Sequence, residues 1–252
     1  MMTSAVTVII PSFNKKPYIS KCIKSVINQT YENWNLIILD DCSNDGTQEL
    51  LKELETNKKV EVILLKKNKG PSFCRNLGLR LTKSEYVAFL DADDFWDSNK
   101  LENQINFMNK ENFDFTYTDY YSIRENILIK KTNLPSKLNY REFIKNSSIN
   151  TCTMIIKRAL IGTLKFKKLE LLEDYIFKCE ILKKNITANK FNICDTAYRL
   201  SDDNRSSNKI KNLLFLWKLN KKFNNLNFFE NLISVLSISL NSLKKYGLQK
   251  YK

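Results

Sequence analysis

The chain has 252 residues, 43% of them hydrophobic, carries a formal net charge of +14 and contains no histidine. That length and apolar content allow a full α/β core and exclude a disordered chain. Without histidine the usual zinc sites, Ser-His-Asp triads and Cys-His dyads are excluded, so a catalytic base must be a carboxylate, Lys, Tyr or Cys. The six cysteines are scattered with no CxxC pair, which predicts reduced, buried thiols in a cytoplasmic protein. The amino terminus lacks the basic region of a signal peptide, and no apolar run approaches the roughly 18 residues of a bilayer span.

Val6 to Ile10 is a β-branched run stopped by Pro11-Ser12-Phe13-Asn14. Tyr18, Ile19, Cys22, Ile23, Val26 and Ile27 then recur at helical spacing. Trp34 to Leu39 reads as a second strand. It ends in Asp40-Asp41-Cys42-Ser43-Asn44-Asp45-Gly46-Thr47, a turn feeding a helix through Leu50, Leu51 and Leu54. Val60 to Leu65 is a third strand, and Asn68-Lys69-Gly70 turns into a helix from Pro71 to about Leu81. Tyr86 to Leu90 is a fourth strand, apolar throughout as in a sheet covered on both faces. Four strands alternating with three helices predict a parallel sheet whose carboxyl edge binds the ligand. At that edge stand Asp91, Asp93 and Asp94, which suit a hard divalent cation with substrate phosphate, or else a cap for the next helix.

Further on, the spacing predicts a helix through Leu101, Ile105, Phe107 and Met108, then a hairpin of Phe113–Ile123 and Asn126–Lys130. A short helix near Tyr140 to Lys145 and a strand from Cys152 to Ile156 follow. Leu171 to Leu182 is expected to be a helix buried along Leu172, Ile176, Phe177, Cys179 and Leu182, and Ile193 to Leu200 a last strand. From Arg205 to Lys252 ten Lys or Arg face one acidic residue, Glu230. Two amphipathic helices are expected there, one through Leu213, Leu214, Leu216, Trp217 and Leu219, the other through Leu226, Phe229, Ile233, Leu236, Leu240 and Leu243. The expected division is a catalytic unit over 1–204 and a basic helical tail over 205–252. Within the catalytic unit, 1–94 is the nucleotide-binding half and 95–204 the acceptor-side half. Two readings of the tail stay open: a helical appendage packed on the core, or a cationic, aromatic-bearing surface resting on anionic lipid.

In this order the pieces resemble the family 2 glycosyltransferases, inverting enzymes of the GT-A fold. Val8-Ile9-Ile10-Pro11-Ser12-Phe13-Asn14 resembles the first-strand signature, and Ser25-Val26-Ile27-Asn28-Gln29-Thr30-Tyr31 the S-x-x-x-Q-T-Y segment. Asp40 to Thr47 is similar to the D-D-x-S-x-D-x-T turn, and Asn68-Lys69-Gly70 with Arg75-Asn76 to N-x-G-x-x-x-x-R-N. Asp91-Ala92-Asp93 is similar to D-x-D, and Glu173-Asp174 to the late E-D motif. Cys74 stands where the family usually has Ala. The Q-x-x-R-W motif of processive synthases is absent, so a single addition is expected.

The resemblance implies a Rossmann-like, mostly parallel α/β sheet flanked by helices and a nucleotide-diphospho-sugar donor, with UDP favoured through Asp41. It also implies Mn²⁺ or Mg²⁺ as cofactor and a glycan or polyprenol-linked acceptor of cell-surface polysaccharide synthesis at the inner face of the cytoplasmic membrane. Pro11, Phe13, Asp41, Gly70, Arg75, Asp91 and Ala92 would then contact the donor. Asp41 would accept from a uracil N–H, or else cap a helix; Phe13 would stack on the base, or else pack in the core. Arg75 would face the diphosphate, or else be a solvated surface charge. Asp93 would ligate the metal, with Asp91 close by. Asp174 would be the general base, or else helix-start acidity, and Glu173, Asn14, Arg199 and Arg205 have secondary places. A sugar-phosphate nucleotidyltransferase is disfavoured because no Gly-rich loop follows the first strand. A nucleic-acid binder is disfavoured because the strand-end carboxylates would repel phosphate. A non-catalytic domain is disfavoured because the key carboxylates remain.

Overall fold

The computed structural model describes residues 5–53, 57–125, 127–200 and 209–246. Its first half alternates β1 (Val6–Ser12), α1 (Lys16–Ile27), β2 (Trp34–Asp40), α2 (Thr47–Lys52), β3 (Val60–Leu64), α3 (Pro71–Leu81) and β4 (Tyr86–Phe89). There follow β5 (Phe95–Trp96), α4 (Lys100–Glu111), β6 (Phe115–Arg124), β7 (Ile127–Lys131), β8 (Lys137–Leu138) and α5 (Tyr140–Asn146). The chain continues through β9 (Ile155–Lys157), α6 (Arg158–Ile161), α7 (Glu173–Leu182), β10 (Ala188–Arg199), α8 (Lys209–Leu219) and α9 (Phe228–Tyr246).

The strands join in one sheet of order β3-β2-β1-β4-β9-β6-β10-β5, with β7 on β6 and β8 on β10. The first four are parallel, as their apolar runs predict. β9 is antiparallel to both β4 and β6, whereas β10 runs parallel to β6, so the sheet as a whole is mixed. Side chains alternate across β1. Ile9 enters a cluster with Phe89, Phe166 and Phe177 on one face, while Val8 and Ile10 join Ile19, Ile23 and Ile105 on the other. Both faces are therefore covered, which is why these strands read as continuous apolar segments.

Gly78 lets α3 approach β1: a Cβ there would lie 2.6 Å from Ile9 Cγ2. Gly78→Ala should destabilise the fold by about 1–3 kcal/mol through overpacking, read as a fall in the urea midpoint with an unchanged m-value.

Three expectations are corrected. The strand expected over Cys152–Ile156 begins at Ile155, because the Asn150 carboxamide oxygen accepts from the Cys152 N–H and winds Thr151–Thr153 into a 3₁₀ turn. The last strand starts earlier, at Ala188, where polar Asn189, Lys190 and Asn192 interrupt the apolar pattern while the backbone pairs with β6 and β8. α7 is buried on nearly every side, including Tyr175, Ile181 and Lys178, instead of along one stripe. Cys22, Cys74, Cys152 and Cys179 are buried free thiols, while Cys42 and Cys194 are half-buried.

The tail helices are docked on this core. Leu216 and Leu219 of α8 enter the cluster that contains α7. Tyr175 Oη donates to Asn220 Oδ1 at 2.8 Å, and Asn220 Nδ2 donates to Asn231 Oδ1 and Ser234 Oγ at 3.1 and 2.9 Å. Ser234 in turn donates to the Ile144 carbonyl on α5. α9 is thus seated through these polar residues together with Val235 and Ile238, which pack against the core, while Phe229, Ile233, Leu236, Leu240 and Leu243 face outward.

Candidate functional site

The carboxyl ends of β1, β2 and β4, the start of α3, the start of α7 and the end of β10 converge on one edge of the sheet. Each strand stops where polar residues replace apolar ones, and the following loop is tied down by its own side chains. Asp45 Oδ1 accepts from Thr47 N–H and hydroxyl, Asp45 Oδ2 from Lys16 N–H, and Thr47 Oγ1 from Lys15 N–H. Asn14 exchanges bonds with Ser43 and Asn44 across the same gap. Gln29 donates to the Asp97 carbonyl and accepts from Leu101 N–H, fixing the segment after Asp94.

Asp41 is buried, and its Oδ1 and Oδ2 accept from the N–H groups of Lys69 and Gly70, both at 2.7 Å. It thereby secures the turn in which Gly70 has φ 84°, a conformation that suits glycine. Phe13 is 45% exposed, so the core-packing alternative falls away and the ring is open to a flat ligand. Pro11 lies half-buried beside it, and Ala92 is buried in the opposite core.

Arg75 is not a solvated surface charge: its side chain is 6% exposed, with Nη2 donating to Asp91 Oδ1 at 2.7 Å and Nη1 to Glu173 Oε1 at 3.2 Å. Burial opposes its charge, but Asp91 and Glu173 outweigh that and raise its affinity for the proton. One guanidinium thus joins the end of β4 to the start of α7. The neighbouring Asn76 exchanges two bonds with the Phe166 backbone and fixes the loop before α7.

The three aspartates after β4 diverge. Asp91 is partly exposed. Asp93 pairs with Lys15 Nζ at 2.6 Å. Asp94, the third of the strand-end carboxylates, turns inward, where Oδ1 accepts from Arg199 N–H at 2.8 Å and Oδ2 from the Cys152 thiol at 3.1 Å. Burial first, and then the charges of Asp93 and Asp91, push the Asp94 carboxyl up. Arg199 is nearly buried; its Nε donates to the Asp93 carbonyl and its guanidinium lies 4.6 Å from the Tyr18 ring, so it braces the loop from β10. Arg205 lies outside the described residues.

Ligand atoms of Asp91, Asp94 and Cys152 lie within 4.8 Å of one another. Cys152 is a poor fit for a hard cation: it is buried, and burial followed by the Asp91 and Asp94 charges pushes its thiol up. Asp91 and Asp93 fit better. They are oxygen donors nearer solvent, and with Arg75 on Asp91 Oδ1 and Lys15 on Asp93 Oδ2 a cation would take the remaining oxygens or displace Lys15.

Asp174 begins α7 with its side chain 34% exposed. Its Oδ2 accepts from Lys178 Nζ at 2.7 Å and from Thr151 Oγ1 at 3.0 Å; Lys178 is buried and also donates to the Ile149 carbonyl. Burial pushes the Asp174 carboxyl up, but the Lys178 ammonium, Arg75 and the Thr151 hydroxyl outweigh it and hold the carboxyl well below the ordinary range. A folded-state value below the unfolded one stabilises the fold above about pH 4, and that contribution fades at lower pH. The melting-temperature gap between wild type and Asp174→Asn should therefore be constant above about pH 4 and shrink below it. Lys15, Thr151, Cys152 and Lys178 were not among the expected site residues, and no local spacing signalled them.

The family model described as Glycosyl transferase family 2 matches residues 7–175. A Bacillus subtilis glycosyltransferase assigned to teichuronic acid biosynthesis, TuaG, is 34% identical over 95% of this chain and 96% of its own. The Escherichia coli UDP-Glc:alpha-D-GlcNAc-diphosphoundecaprenol beta-1,3-glucosyltransferase WfgD is 38% identical over 84% of this chain and 83% of its own. Among solved structures, Staphylococcus aureus TarS 1-349 in complex with UDP-GlcNAc superposes with a TM-score of 0.71 at 17% identity, covering 95% of this chain and 73% of that one. The chain spans 46% of a longer TarS structure. A Pyrobaculum calidifontis mannosyltransferase in complex with GDP-Man and Mn²⁺ has a TM-score of 0.69 at 16% identity, covering 96% and 74%. These likenesses place the fold in the GT-A class.

Proposed function

The chain belongs to glycosyl transferase family 2, and from that premise we propose that it moves one sugar, with inversion, from a UDP-sugar to a hydroxyl of a glycan or polyprenol-linked acceptor. The setting is cell-surface polysaccharide synthesis at the cytoplasmic face of the membrane, in keeping with the acceptor in the WfgD name. Among the described residues no helix is long and apolar enough to cross a membrane. One observation carries the reading: the buried Arg75 holds Asp91, on the donor side, and Glu173, next to the base, on a single guanidinium.

Phe13 offers its exposed ring to the uracil face. Asp41 presents the lone pairs not taken by Lys69 and Gly70 to the uracil N–H. Asp91 and Asp93 would hold Mn²⁺ or Mg²⁺, which when bound neutralises charge on the leaving diphosphate. Lys15 is positioned to share Asp93 and add a second positive charge facing the phosphates. Asp174, ionised at neutral pH, accepts the acceptor hydroxyl's proton while that oxygen bonds to the anomeric carbon. The bond from that carbon to the diphosphate oxygen breaks on the opposite side, and UDP leaves. Lys178 and Thr151 hold Oδ2 of Asp174, so the carboxylate is oriented before substrate arrives.

The test is the anomeric configuration of the product. With α-linked UDP-sugars and a synthetic lipid-diphosphate sugar acceptor, proton NMR should show a β linkage; an α-linked product overturns inversion.

A further inference from the structure

We infer that the outward face of α9 is a docking surface for an anionic lipid bilayer, on which the helix lies flat. Phe229, Ile233, Leu236, Leu240 and Leu243 are spaced by four, three, four and three residues and so form one stripe, at 74, 50, 54, 58 and 40% exposure. A globular protein ordinarily turns such a stripe inward. Here the inward positions are Val235 and Ile238, packed on the core, and Asn231 and Ser234, which are 1% and 0% exposed and fully engaged with Asn220, the Trp217 carbonyl and the Ile144 carbonyl. Rotating α9 to bury the stripe would break that network, so the apolar face is built to look outward.

The helix has 19 residues, a length of about 28 Å at 1.5 Å per residue. With its inner side held by the protein it can rest in the interface plane and cannot cross the bilayer. Its N-terminal end carries an aromatic corner, with Trp217 and Phe228 edge to face at 5.5 Å and Phe228 and Phe229 at 5.6 Å. Charge decides the occupant. Lys218, Lys221 and Lys222 are exposed just before the helix, and the sequence puts Lys244 and Lys245 in its last turns. The sole acidic residue of this region, Glu230, is committed to the helix start, where its Oε2 accepts from Asn227 N–H. A second copy would bring two regions rich in lysine and poor in acid together, whereas anionic headgroups match them.

This inference rests on the proposed function only for where a lipid-linked acceptor is met. Its test contains no sugar donor, so the two can fail separately. The full chain is floated with vesicles of phosphatidylcholine alone or with about one-third phosphatidylglycerol, at low and high salt. Flotation should need the anionic lipid and weaken with salt. It should fall at least about tenfold in the triple variant Ile233→Ser, Leu236→Ser, Leu240→Ser and in the triple variant Lys218→Glu, Lys221→Glu, Lys222→Glu, with melting curves unchanged. No flotation of the wild type, or flotation indifferent to the serine variant, overturns the inference. So does a wild-type dimer in vesicle-free buffer that the serine variant converts to monomer, since the face then belongs to a second copy.

Discussion

Asp174→Asn should lower kcat by about 10²–10⁴-fold while the UDP-induced rise in melting temperature stays at its wild-type size. The asparagine keeps the shape and can still accept from Lys178 and Thr151, so the helix start and the donor side are preserved; what disappears is a group that can take a proton. A kcat loss with intact nucleotide binding separates a base from a binding residue. Because Lys178 and Arg75 hold the carboxyl low, the wild-type rate should show no acid limb from this group near neutral pH. Replacing Lys178 with Met removes the principal opposing charge and should bring an acid limb upward in the kcat profile. If Asp174→Asn turns over at the wild-type rate, the base lies elsewhere.

The second large effect is on the fold. Arg75→Met should cost about 3–5 kcal/mol, because it takes the guanidinium away from the buried Glu173 carboxylate. For a chain of this size that corresponds to a fall in melting temperature of roughly 10 °C. Asp91 loses the same partner but is partly exposed and can be hydrated, so Glu173 dominates. Adding Glu173→Gln to Arg75→Met should restore part of the loss, since an amide costs less than a carboxylate in the same place. Arg75→Lys should rescue poorly, because one ammonium cannot bridge two carboxylates as the guanidinium fork does. An unchanged melting temperature in Arg75→Met would show that the pair does not tie β4 to α7.

The parallel half of the sheet was legible because its strands are buried on both faces and its turns carry Pro or Gly. Tyr86–Phe89 and Pro71–Leu81 fall where those signals put them. The donor edge was legible through motifs in sequence order. What the motifs did not convey is which way each side chain turns. The sequence left Arg75 facing a diphosphate or solvent and gave no sign of Glu173, which lies 98 positions away. Asp94 sits beside two site aspartates yet points into the core, because Arg199 and Cys152 arrive from 105 and 58 positions away. Lys178 lies outside the apolar stripe expected for its helix, but α7 has almost no solvent face and Asp174 balances the charge. α9 forms where the apolar spacing put a helix, but the expected stripe faces outward: Val235 and Ile238 take the inner side with Asn231 and Ser234, to which Asn220, Trp217 and Ile144 offer complete hydrogen bonding.

The most direct test of a UDP-sugar site is the melting temperature with UDP, GDP, dTDP or CMP, each with and without Mn²⁺, for wild type and Asp93→Ala. Ligand at about 100 times its dissociation constant adds about 2.7 kcal/mol to the folded state. The account predicts a manganese-dependent rise of roughly 5–10 °C with UDP, smaller rises with the others, and loss of the manganese dependence in Asp93→Ala. Identical melting temperatures with every nucleotide, with and without Mn²⁺, would contradict it.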